Sequence, residues 1–195
     1  MMGPPGPREE IQAAIAATGC VLRDDPIRGG LACVDCPSYR SRAELVDVLA
    51  WRDARYDGRI RQLATAIARG VRLDGDRIGE QARLCAAVQN AVASRVRYLG
   101  EAGDVIQDAW TTWETALGDC DCQARLVLAL LRALGVPCDL IAFHRGESIL
   151  HVCAAWRAPQ GRSYLETTLG PAVQLGEHPY LAKLRLGAND RRDLA

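Results

Sequence analysis

The stretch GDCDCQARLVLALLRALGVP, Gly118–Pro137, sets two cysteines and two aspartates ahead of a strongly apolar run. The run predicts a helix from about Asp121 to Leu134, which Gly135 and Pro137 end in the order expected of a C-terminal stop. Cys120 then sits at the mouth of that helix and Cys122 in its first turn. A helix N-terminus supplies unpaired N–H groups and positive partial charge, and both favour thiolate over thiol. Three roles are open to a thiol placed there: core filler, metal ligand or nucleophile.

Downstream lie three strand-like runs, Asp139–His144, Leu150–Trp156 and Ser163–Thr168, with Pro159-Gln160-Gly161 as the turn between the last two. A nucleophilic thiol needs a base, and His144, His151 and His178 are the only histidines in the chain. His151 opens the strand LHVCAAW. With a two-residue turn after it, His151 and Glu166 fall on the same face of neighbouring strands, directly or diagonally opposed. An imidazole and the carboxylate that orients it stand in that relation. The candidate catalytic set is Cys120, His151 and Glu166. His144 and His178 read as surface or structural residues, and Cys85, Cys122, Cys138 and Cys153 as buried thiols.

Upstream, the chain reads as helices. Glu9–Thr18 suits a short helix, and Gly19–Tyr39 suits loops or a small hairpin. Ser41 with Glu44 three residues on has the capping-box pattern, followed by Leu45, Val48, Leu49 and Trp51 at helical spacing. Further helices are expected over Asp57–Arg69 and about Gly79–Tyr98. A connecting stretch carrying Trp110 and Trp113 leads to Asp119. Helices followed by strands argue an α+β fold with an antiparallel sheet. The expected division is an N-terminal arm over 1–40, partly disordered, a helical extension over 41–78 and a core over 79–195.

Composition removes other classes. The 24 basic and 24 acidic residues cancel, which argues against a nucleic-acid partner. No apolar run approaches the roughly 20 residues that cross a bilayer, and MMGPPGPREE lacks the regions of a signal peptide. A cytoplasmic protein is expected, with its eight cysteines mostly reduced. Cys33-x2-Cys36 has metal-ligand spacing with Cys20 as a third thiol, but structural zinc takes four ligands. The pair is read as coincidence, with a zinc-stabilised binding module as a minor alternative. No phosphate-loop or dinucleotide fingerprint is present.

Taken together, GDCDCQARLVLALLRALGVP, HVCAAW and YLETT resemble the transglutaminase-like superfamily of papain-like cysteine enzymes, in particular its bacterial and phage branch. The likeness runs from about Gly79 to Thr168. It implies a papain-like core with the nucleophile at a helix N-terminus packed on an antiparallel sheet. It places Cys120 as nucleophile, His151 as base and Glu166 as orienting acid. Cys122 and Glu166 stand where that branch commonly has Asp. The implied activity is acyl transfer through a thioester, with hydrolysis of a protein or peptide favoured over cross-linking and no cofactor required. The second reading is a catalytically idle structural protein with a phage or other assembly partner, virion-associated where the chain is of phage origin.

Overall fold

The computed structural model describes residues 7–22, 31–100, 105–145, 148–176 and 191–193. In chain order the elements are α1 (Pro7–Ala17), β1 (Val21–Leu22), β2 (Leu31–Asp35), α2 (Tyr39–Tyr56), α3 (Gly58–Ala68), α4 (Arg77–Arg95), β3 (Arg97–Tyr98), β4 (Val105–Gln107), α5 (Ala109–Thr115), β5 (Leu117–Gly118), α6 (Cys120–Ala133), β6 (Cys138–Arg145), β7 (Ser148–Ala158), β8 (Gly161–Leu165) and β9 (Arg191–Asp193).

Helix α6 is the centre of the molecule. Every residue from Asp121 to Arg132 is buried, so this helix is covered on all sides rather than along one stripe. Helices α2, α3, α4 and α5 pack on it, as do strands β6 and β7. Leu126, Val127, Leu128, Leu130 and Leu131 share one core with Leu45, Leu49, Ile60, Val88, Val92, Leu140, Val152, Ala154 and Leu165. The stop after α6 is built as expected. Gly135 has φ +70°, the Val136 N–H donates to the Leu131 carbonyl at 2.9 Å and the Gly135 N–H to that of Arg132 at 3.0 Å. This is the paired closure that glycine permits after a helix.

The main sheet is antiparallel, in the order β8-β7-β6-β9. Its faces follow strand alternation. Leu140, Ala142, Val152, Ala154 and Trp156 join the α6 core, while Ile141, Phe143, Cys153 and Ala155 form a second small cluster with Tyr164 against it. The register slips between Phe143 and His144, a bulge in β6. His144 is buried there and stacks on Tyr39 with ring centroids 4.2 Å apart, which leaves the structural one of the two roles, surface or structural, expected of it. His178 lies outside the described residues.

Several features depart from the sequence expectations. Helix α2 begins before Ser41, because Ser38 is its cap and accepts from the Ser41 N–H at 3.2 Å. Val48 and Trp51 face solvent. From Val105 onward the stretch before Cys120 forms strands and a helix: β4 pairs antiparallel with β2, α5 follows, and β5 pairs parallel with β3. Finally, Cys20 and Cys36 form a disulfide. Strands β1 and β2 pair antiparallel with Val21 opposite Asp35, which sets Cys20 opposite Cys36, their Cα atoms 4.3 Å apart. Cross-strand register, not the CVDC spacing, selects the partner, and neither thiol is then available to a metal.

Candidate active site

Asp119 caps α6 in extended conformation, its Oδ1 accepting the Cys122 N–H at 3.0 Å. Cys120 is the first residue of the helix, so its N–H and that of Asp121 have no intrahelical acceptor. Gly118 is required just before them. A Cβ there would stand 2.8 Å from the Cys122 Cβ and 3.2 Å from the Thr112 Cγ2, and the chain could not turn so tightly into the helix. Cys120 is only partly buried, while Cys85, Cys122, Cys138 and Cys153 are buried thiols, as their surroundings in sequence suggest.

Strand β7 carries His151 to this helix mouth. The backbone N–H of the next residue, Val152, is close enough to the Cys120 sulfur to favour its thiolate. The turn between β7 and β8 has two residues, with Ala158 opposite Gly161 and Ala154 opposite Leu165. Continuing that register puts Glu166 opposite Cys153, two residues from His151 on the same face. His151 and Glu166 are therefore diagonal neighbours, and their side chains meet with Nε2 and Oε2 2.7 Å apart. The other carboxylate oxygen, Oε1, accepts the Thr168 N–H at 2.7 Å and the Thr168 hydroxyl at 2.6 Å. His151 is 4% and Glu166 0% exposed, and Phe143 stacks against the imidazole at 6.1 Å. His151 and Glu166 are thus a direct pair, with Glu166 just beyond the end of β8 rather than within a strand, while Cys120 stands at the mouth of α6, the helix on which β7 packs.

The electrostatics of the carboxylate and the thiol differ in sign. Burial would raise the Glu166 pKa, but hydrogen bonds from His151 and Thr168 outweigh it and hold the carboxyl below the usual glutamate range. For Cys120 the helix terminus is not the dominant influence. Burial pushes the thiol up, the carboxylates of Asp121 and Asp119 push it further, and the Val152 N–H and Arg42 pull it down only in part. The Cys120 sulfur lies 3.6 Å from Asp121 Oδ1, so the resting thiol donates toward that carboxylate.

Residues Gln107, Trp110 and Trp113 lie near the approach to Cys120 in sequence but are used elsewhere. Gln107 donates its side-chain amide to Thr115 at 3.1 Å. The tryptophans pack partly against the core, under the guanidinium groups of Arg59 and Arg95 respectively. Among the described residues no group of three or more His, Cys, Asp or Glu side chains is placed to hold a metal. Nor is any described helix long and apolar enough to cross a membrane.

A family model described as the transglutaminase-like superfamily matches residues 61–164. A protein from Cytophaga hutchinsonii described as a candidate cysteine protease is 17% identical, with a TM-score of 0.45 over 70% of this chain and 46% of its own. A candidate protease from Parabacteroides distasonis is 14% identical, with a TM-score of 0.50 over 69% of this chain and 28% of its own. This chain therefore spans less than half the length of either structure. No curated protein matches it.

Proposed function

The chain belongs to the transglutaminase-like superfamily, and on that premise we propose that it is a cysteine-dependent enzyme that hydrolyses a peptide or amide bond through a thioester. The observation that carries the reading is the buried His151–Glu166 hydrogen bond, on a strand whose next residue, Val152, has its N–H close enough to Cys120 to favour the thiolate. Glu166 engages Nε2, and in this reading Nδ1 is the ring nitrogen that serves the thiol.

In the proposed reaction, His151 takes the Cys120 proton as sulfur attacks the carbonyl carbon. The N–H groups at the mouth of α6 receive the oxyanion. His151 then passes the proton to the departing amine nitrogen, and the carbon–nitrogen bond breaks to leave a thioester. Water attacks that thioester, its proton moves to His151, and the carboxylic acid product departs as the proton returns to sulfur. Glu166 holds the imidazole in one tautomer and stabilises its cation.

A second reading, a catalytically idle family member with an assembly role, is favoured by that same upward push on the thiol. Acylation separates the two. The active enzyme, given p-nitrophenyl acetate, releases a burst of p-nitrophenolate and carries an acetyl group on Cys120 by mass spectrometry. Both are lost in Cys120→Ser and slowed in His151→Ala. No burst, and no acetyl group on Cys120 in samples quenched during the reaction, contradict the enzyme reading and support the idle one.

A further inference from the structure

Three ion pairs join α2 to α6: Arg42 with Asp121, Asp53 with Arg125 and Asp47 with Arg132. The first of them reaches the mouth of α6. Arg42 Nε donates to Asp121 Oδ2, and its Nη2 lies 3.9 Å from Asp119 Oδ2. One guanidinium thus spans both carboxylates that flank Cys120. The remaining oxygen of Asp121 is the one that faces the Cys120 sulfur. Asp121 is 2% exposed, so water screens its charge little.

A thiolate at Cys120 would stand between two like charges, an arrangement that opposes its formation. The charged and titratable groups that act on it or on its neighbours are Asp119 at the cap of α6, Asp121 on α6, Arg42 on α2 and Cys153 on β7, with the His151–Glu166 pair next to Cys153. Arg42 lies outside the segment matched by the family, residues 61–164. It is delivered by a helix capped at Ser38 and stacked through Tyr39 on His144.

We propose that Arg42 is a positioning residue of this site: it balances Asp119 and Asp121 and fixes the carboxylate against which the Cys120 thiol rests, so that thiolate can form beside His151. The inference rests on Cys120 being the nucleophile. Its consequence is that α2 is part of the machinery and not a neighbouring prop, since the site would lose its charge balance without it.

The test is the pH dependence of iodoacetamide alkylation at Cys120, followed by mass spectrometry in the full chain. Wild type is compared with R42Q, R42K, D121N and R42Q/D121N, with H151A alongside. In R42Q the midpoint rises by about one unit, which slows alkylation about tenfold below the midpoint. R42K keeps most of the wild-type profile, D121N lowers the midpoint, and D121N restores the profile in the R42Q background. A structural stitch would instead weaken thermal stability and leave the midpoint in place. Unchanged midpoints in both R42Q and D121N overturn the proposal, and if R42Q does not fold, the D121N midpoint decides alone. Alkylation indifferent to H151A would defeat the nucleophile reading itself, whereas sensitivity to H151A with indifference to Arg42 and Asp121 defeats only this inference.

Discussion

A buried carboxylate with no partners would take up a proton at neutral pH. Glu166 stays ionised because His151 and Thr168 supply three hydrogen bonds to its two oxygens. Since its pKa is lowered on folding, its contribution to stability is complete above the unfolded value of about 4.3 and is lost as the pH falls through the depressed folded value. Urea unfolding at about pH 7 and about pH 4 should show that loss in wild type and a shallower one in Glu166→Gln. The same variant keeps the side chain's size but not its charge, and kcat for any substrate found should fall about 10²–10⁴-fold. Undiminished turnover in Glu166→Gln would remove Glu166 from the proposed triad. The pairing of Glu166 with His151 was legible because a two-residue turn fixes which residues share a face. The role of Arg42 was not, since nothing local in the sequence tells that residue 42 will meet residue 121.

At the scale of elements, α6 could be read directly, because an uninterrupted apolar run between an aspartate cap and a glycine stop admits few alternatives. The short strands were illegible for the opposite reason. Strands of two or three residues such as β3, β4 and β5 carry no period of their own and exist only through partners distant in sequence. The buried pair of Asp53 with Arg125 was equally hidden. It is bidentate, with contacts of 2.7 and 3.0 Å, and Arg125 also donates to the Gln107 carbonyl at 3.1 Å. Removing one partner leaves a buried charge, so Asp53→Asn should cost roughly 3–5 kcal/mol in denaturant unfolding, while replacing both partners by apolar residues should cost much less. A second test concerns Ala116, which ends α5 at φ 58°. A residue with a Cβ is strained there, so Ala116→Gly should gain about 1 kcal/mol. A loss of stability on that change would show that the Ala116 methyl is held by packing instead.

At the scale of the whole molecule, the order of helices and then strands gave the α+β class, but it could not say how the N-terminal part meets the rest. Helix α2 packs along α6, the element that carries Cys120, and β2 pairs with β4, which itself touches α6. The division into an arm over 1–40, an extension over 41–78 and a core over 79–195 stands as a proposal. The disulfide is the feature with a direct thermodynamic consequence. It closes a loop of 16 residues' separation, for which chain entropy predicts about 3 kcal/mol of stabilisation. Cys20→Ala/Cys36→Ala should unfold earlier in urea by that margin. A chain insensitive to the double substitution would show that the hairpin holds without its link.

The central claim, that Cys120 is chemically distinct and coupled to His151, is tested most directly by alkylation at about neutral pH, resolved cysteine by cysteine in the folded protein. The account predicts that Cys120 reacts faster than the buried Cys85, Cys122, Cys138 and Cys153, and that His151→Ala slows it at least about tenfold. A Cys120 no more reactive than those four, and unchanged by His151→Ala, would contradict it.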